Sequence, residues 1–244
     1  MPTRHIPPPR DSHVEPLSSP KNVIKSLSID NLIFGLDHDQ LKVLLIKHYD
    51  PAHKDKWALP GGWIRYDENL RDAASRLLEE LTGVKELYLE QLKAFGRIDR
   101  FPNDRVVTIA YYALVSAEDY PMIEGHSTSD ARWFSVNDQP ELIYDHAEIL
   151  DHGMKFLRHQ VCHQPIGFNL LPEKFTLLQL QALYEAILDT KLDKPNFRRK
   201  IMKMNLLTPC NEKQQGVPHR AANLYRFDAD AYHQLTEMGF SFEI

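Results

Sequence analysis

Cysteine is nearly absent from this chain of 244 residues: Cys162 and Cys210 are the only two. Two thiols cannot form a disulfide framework, and they exclude a cysteine-rich zinc module. Cys162 beside His163 lacks a third partner and reads as structural rather than reactive. Long apolar runs are missing too. Stretches such as Val43-Leu44-Leu45-Ile46 fall far short of the roughly 18 residues of a membrane span. The segment Met1 to Pro20 has no apolar core of the kind a secretory signal needs. Its proline, serine and charge content reads as a disordered tail, residues 1–24. The expected setting is therefore reducing and cytoplasmic, with no membrane partner. What is present is an ordinary soluble composition, long enough for one large domain or two small ones.

A net charge of -5 speaks against a nucleic-acid protein until its distribution is considered. Between Lys191 and Arg226 nine basic residues face two acidic ones, Asp193 and Glu212, which makes that segment +7 and the remainder -12. A basic stripe in an acidic protein is a sharper hint than a high overall pI, although a solvated charged face has the same composition.

The first half alternates strands and loops. Ser26–Leu36 and Leu41–His48 are β-branched, apolar runs, and Asp37-His38-Asp39-Gln40 between them has hairpin-turn chemistry. Glu68–Leu81 has helical periodicity and ends at Thr82-Gly83, a glycine C-cap signal. Leu87–Ile98, Val106–Val115 and Ala131–Val136 are further strands, and Asp145 to about His159 is a helix. The fold class is α+β with a mixed sheet, expected over residues 25–160. A second unit, residues 161–244, holds a helix from Phe175 to Leu188 with Thr176 as N-cap, a second helix from Lys194 to Leu207, a polar segment from Pro209 to Pro218 and a strand from Ala222 to Phe227. That order is a winged helix-turn-helix pattern.

Gly62 to Val84 reads GWIRYDENLRDAASRLLEELTGV. It resembles the Nudix box, G-x5-E-x7-R-E-U-x-E-E-x-G-U, at Gly62, Glu68, Arg76, Leu78, Glu80, Gly83 and Val84. The resemblance implies a Nudix fold, a mixed sheet between helices. It also implies a carboxylate cluster on one helix face that holds Mg²⁺ against a diphosphate. The matching positions are Leu77, Glu80 and Leu81, so two of three ligands are leucines. Glu79 lies about 100° around the helix from Glu80 and cannot replace them. No resident metal, cofactor or robust hydrolysis is expected, and Glu68 with Arg76 is expected to survive as a structural ion pair. A hydrolase fold without its metal face keeps its pocket, and ligand sensing is the expected role. Trp63, Arg97, Asp99, Arg100 and Arg105 are the candidate effector contacts. Trp63 reads equally as core, and the charged residues equally as a hairpin tip.

On the second helix Phe197, Ile201 and Met204 form the buried stripe. The residues Lys194, Asn196, Arg198, Arg199, Lys200 and Lys203 then point outward, as a helix in a major groove requires. His219, Arg220 and Arg226 belong to the wing. The alternative is a helical pair that docks on the first domain and has a charged exterior.

With both halves considered, the chain resembles the Nudix-related transcriptional regulators. The resemblance runs from about Lys25 to Phe227 and includes the box, Tyr88-Leu89-Glu90-Gln91-Leu92, Ala94-Phe95-Gly96, Asp145-His146 and the PIGFNLLP connector from Pro165 to Pro172. One branch senses ADP-ribose or related nucleotides. Another, in Bacteroidetes, senses sugars such as L-arabinose, and the connector and following helix look most like that branch. The resemblance implies a homodimer that binds a double-stranded DNA operator and is gated by a small effector. A Mg²⁺-dependent diphosphatase is the alternative function.

Overall fold

The computed structural model describes residues 23–37, 40–48, 56–102, 104–117, 120, 130–216 and 220–244. The expected tail up to residue 22, the turn residues His38 and Asp39, and the wing residue His219 lie outside the described residues.

The chain forms β1 (Val23–Asp37), β2 (Gln40–Lys47), β3 (Trp57–Ala58), β4 (Gly61–Arg65), α1 (Leu70–Thr82), β5 (Glu90–Phe95), β6 (Val107–Ser116), β7 (Ala131–Ser135) and α2 (His146–His163). A 3₁₀ turn (Pro165–Leu170) leads to α3 (Leu177–Leu188), α4 (Lys194–Lys203), β8 (Leu207–Lys213), β9 (Asn223–Phe227) and α5 (Ala229–Glu237). The large sheet runs β3-β2-β1-β6-β5, with β4 also on β1 and β7 also on β2. β1 pairs β6 in parallel from Leu27↔Val107 to Leu36↔Ser116, while its other neighbours are antiparallel, so the sheet is mixed.

Side-chain alternation divides the sheet's two faces. Ile29, Ile33, Ile109, Tyr111, Ala113 and Val115 face α1. Leu32, Phe34, Leu36, Ala110 and Tyr112 face α2 and the elements beyond it. α2 lies close against β1, because a Cβ on Gly153 would come within 2.0 Å of Leu32 Cδ2. α1 starts two residues later than expected: Asn69 is the N-cap, and Glu68 turns back to accept the Arg65 backbone N–H at 2.7 Å. Gly83 ends the helix in the left-handed region at φ 77°, with its N–H on the Glu79 carbonyl at 2.8 Å. Glycine takes that conformation without the Cβ penalty.

The expected division at residue 160 falls inside α2, which runs on to His163. The C-terminal unit shares the α2-side core, where Leu157, Val161, Leu183, Tyr184 and Phe197 are all buried. Arg158 Nε donates to the Ile187 carbonyl at 2.9 Å, and Ile244 N–H to the Cys162 carbonyl at 3.0 Å. A full capping box, Thr176 with Gln179, opens α3. The corner before α4 is held by Glu185, which accepts from Leu192 N–H and Gln181 Nε2, both at 2.9 Å. α4 stops at Lys203 rather than Leu207, because Asn205 enters the left-handed region at φ 55°. The expected polar loop after it is in part a strand: β8 pairs β9 across a register shift between Pro209 and Lys213, with Asn211 at φ 56°. Phe175 adds a bridge to Tyr225. α5, capped by Asp228, has no counterpart among the expected elements.

Candidate functional site

Two regions gather polar side chains in patterns that packing alone does not require. The first surrounds the box. Arg76 donates from Nε to Glu68 Oε2 at 2.7 Å and from Nη2 to Glu68 Oε1 at 2.6 Å, and its Nη1 reaches Glu80 Oε2 at 2.9 Å. Arg65 Nη2 approaches the other Glu80 oxygen at 3.4 Å. The expected Glu68–Arg76 pair is thus present and ties the β4–α1 loop to the helix. Burial works to raise the Glu68 carboxyl, but the Arg76 and Arg65 hydrogen bonds outweigh it and hold the pKa below the ordinary value. Glu80 is spent on two guanidinium groups. Leu77 is buried directly beneath Gly62, where a Cβ would come within 2.8 Å of Leu77 Cδ2. Leu81 is half-buried against the same apolar cluster. These residues do not fit the Mg²⁺ that a Nudix box holds: two ligand positions are hydrocarbon, and the remaining carboxylate already has cationic partners.

A cleft of about 280 Å³ opens beside the box. Its floor contains Asp30, Arg100 and His146, and Trp63, Phe101 and Tyr144 line it as aromatic walls. Arg100 donates from Nε and Nη2 to the two Asp145 oxygens, both at 2.8 Å, and from Nη2 to Asp30 Oδ2 at 3.3 Å. The three side chains are only 3%, 2% and 7% exposed. His146 Nδ1 accepts the Leu59 N–H at 2.9 Å, and its Nε2 lies 3.5 Å from Asp30 Oδ1. Burial, with a smaller contribution from Arg100, pushes the imidazole pKa down against the opposing carboxylates. Asp30 in the cleft and Asp145 behind it thus share the one Arg100 guanidinium. The rings stack edgewise and tilted, Trp63 to Phe101 at 5.8 Å and Phe101 to Tyr144 at 4.8 Å. Tyr144 sits at φ 50°, an uncommon conformation for a bulky residue. Gly61 admits the cleft wall to β1, since a Cβ there would lie 2.3 Å from the Ile29 carbonyl.

Of the five candidate effector contacts, Trp63 and Arg100 line this cleft. Arg100 is not a free donor, because its Nε and Nη2 are already engaged by carboxylates. Arg97 and Asp99 are exposed and pair with each other at 2.8 Å. Arg105 turns onto the backbone carbonyls of Arg97 and Val106. None of these three lines the cleft. Sequence reasoning missed Asp30, Phe101 and Tyr144 as cleft residues. Asp30 interrupts the apolar run of β1, the one local signal that marked it.

The second region is α4 and the β8–β9 hairpin. Phe197 and Ile201 are buried, Met204 is half-buried, and Lys194, Asn196, Arg199, Lys200 and Lys203 are exposed. Arg198 departs from the outward arrangement: it is half-buried and lines a cavity between the helix and the hairpin. Asp193 caps α4 by accepting the Asn196 N–H at 3.0 Å, and Arg199 donates to the Asn196 side chain. On the hairpin Arg220 is exposed, and Arg226 lies 3.6 Å from Glu173. Among the described residues no carboxylate pairs with Lys194, Arg198, Arg199, Lys200 or Lys203.

A sheet domain bearing a box of this kind, joined to a winged helix with a basic second helix, defines a Nudix-domain winged-helix protein. The NUDIX domain family model matches residues 29–153, and that of the NrtR DNA-binding winged helix domain matches residues 167–227. The chain belongs to the Nudix family, in the group that carries an NrtR-type winged helix. It is 33% identical over 210 residues to the ADPR responsive transcriptional repressor NtrR of Acinetobacter baylyi, covering 84% of this chain and 83% of that one. An ADP-ribose pyrophosphatase of Methanocaldococcus jannaschii is 29% identical over 122 residues, covering 50% of this chain and 71% of the relative. The crystal structure of Shewanella oneidensis NrtR complexed with a 27mer DNA superposes with a TM-score of 0.74 at 31% identity, covering 88% and 97% of the two chains. Among the described residues no helix is long and apolar enough to cross a membrane.

Proposed function

We propose that this protein is a transcriptional regulator in which a non-hydrolytic Nudix domain binds an ADP-ribose-like nucleotide and thereby controls a DNA-binding winged helix. The observation that carries this reading is one shared core joining two parts: a box with leucines at two ligand positions, and a helix whose basic exposed face has no acidic partners among the described residues. The Acinetobacter baylyi repressor, which matches both parts, is named for a response to ADP-ribose rather than to a sugar. The cleft suits such a ligand. Its aromatic walls offer faces to a base, and the Asp30 carboxylate accepts from ribose hydroxyls. Arg97 and Arg105 lie outside the cleft and supply charge for a diphosphate only by exchanging their present partners, Asp99 and Glu148 for Arg97 and backbone carbonyls for Arg105.

α2 connects the two events. It begins at the cleft with His146, with its N-cap Asp145 held by Arg100, and ends against α3 through Arg158. Its 18 residues span about 27 Å. A ligand that binds one setting of this helix better than another shifts the winged helix with it. The active form is a homodimer on a pseudo-palindromic operator, in which the spacing of two α4 helices sets the fit.

The test is binding to a duplex from the intergenic region upstream of the gene's own operon, titrated with salt and repeated with ADP-ribose and with L-arabinose. The expected result is a steep negative salt slope and an affinity changed by ADP-ribose alone. A response to L-arabinose alone replaces the nucleotide with a sugar. Mg²⁺-dependent turnover of ADP-ribose that is lost in Glu80→Gln, with no duplex binding, makes the protein an enzyme instead.

A further inference from the structure

Resting on the DNA-binding reading, we propose a division of labour on the basic face: Arg198, with Lys213 and Arg220, grips a DNA backbone phosphate between α4 and the hairpin, and does not read bases. A cavity of about 300 Å³ lies there, lined by Arg198, Lys213, Arg220, Ala221, Ala222 and Tyr225. Three cations surround one concavity, and among the described residues none of them has a carboxylate partner. Among the described residues the buried Arg198 Nε has no hydrogen-bond acceptor. Three cations lining one open cavity, with no carboxylate partner among the described residues, call for an anion. The small side chains of Ala221 and Ala222 leave room for a phosphate to approach closely.

Helical phase separates Arg198 from its neighbours. Taking Phe197 as inward, Arg198 lies about 100° around the helix and Arg199 about 200°. Arg199, Lys203 and Asn196 therefore stand on the outward face that enters a groove. Arg198 stands on the flank that meets the hairpin, too far aside to reach a base edge while its Nε stays buried. Phosphate contacts position a protein without sequence information, and base contacts specify.

The test uses the full-length protein with Arg198→Gln, Arg198→Lys and Arg199→Gln. Fluorescence anisotropy is read on the intergenic duplex and on a random duplex of equal length, from about 50 to about 250 mM KCl. For Arg198→Gln the expected result is an affinity lower by about tenfold on both duplexes alike. Its log–log salt slope becomes shallower by about 0.9, one phosphate. Arg198→Lys keeps the charge and returns the slope to the wild-type value. Arg199→Gln lowers the preference for the intergenic duplex. A loss in Arg198→Gln confined to the intergenic duplex, or no loss on either, overturns the phosphate role. Failure of the wild type to bind any duplex removes the DNA-binding reading itself and this proposal with it. If Arg198→Gln loses its native circular dichroism, Lys213→Gln, at an exposed strand position, is read by the same criteria.

Discussion

Replacing Arg100 with leucine removes the guanidinium shared by Asp30 and Asp145 and leaves the two carboxylates without it. Arg100 makes two 2.8 Å hydrogen bonds to Asp145 and one of 3.3 Å to Asp30, and its side chain is 3% exposed. Breaking a buried pair by deleting one partner costs about 3–5 kcal/mol, because the other charge stays buried and uncompensated. The three tryptophans, Trp57, Trp63 and Trp133, all lie in the sheet domain, so intrinsic fluorescence reports that domain's unfolding. With a urea m-value of about 2 kcal/mol per molar, the midpoint falls by about 2 M at unchanged slope. Arg100→Leu combined with Asp145→Leu recovers much of the loss, because an apolar replacement of a buried pair is often close to neutral. A midpoint shift below about 0.5 M for the single variant refutes the reasoning, since it means that water or relaxation neutralises the two carboxylates at little cost.

Three further outcomes follow from the same geometry. The folded-state pKa of His146 lies below the unfolded value near 6.5, so the unfolded chain binds the proton first as pH falls. Stability is therefore intact above about pH 6.5 and declines below it by up to about 1.4 kcal/mol per pH unit; His146→Asn flattens that slope in thermal unfolding measured across pH, and an unchanged slope counts against it. Gly61→Ala places a Cβ 2.3 Å from the Ile29 carbonyl and 2.5 Å from Asp30 Oδ1, both part of β1 or anchored to it. That overpacking lowers stability by about 2–3 kcal/mol in urea titration, and a value near zero shows that β4 can move aside. Leu77→Glu, which restores a ligand type to the box, buries an unpaired carboxylate under Gly62; calorimetry should show a loss of about 3 kcal/mol or more without Mg²⁺, against the small change expected of a surface position.

Much of the fold was legible because its signals are local. The periodicity of β1, β2, β6 and α1, the Gly83 cap, the Thr176 capping box and the Phe197–Ile201 stripe each require only residues a few positions apart. The box frame was equally local, and with it the Glu68–Arg76 pair eight positions apart and the leucines that replace ligands. The +7 segment already marks the second helix as basic.

The cleft was decided by tertiary structure. Its floor joins Asp30 from β1, Arg100 from the loop after β5 and His146 at the start of α2, with Asp145 behind them holding Arg100. These residues meet only because β1 pairs β6 in parallel and α2 crosses back over the sheet. Whether Arg100 is offered to a ligand or spent on carboxylates depends on that meeting, which is why Arg97, Asp99 and Arg105 looked equivalent to it along the chain. The β8 strand was hidden for a related reason: a proline and a left-handed asparagine conceal its pattern, and its pairing comes from β9 and the hairpin, not from its own residues. Composition and periodicity determined which surfaces are apolar and which helix is basic, because those properties are summed along the chain. Packing alone decided which charges are buried, which are paired, and which, like Arg198, are left facing a cavity.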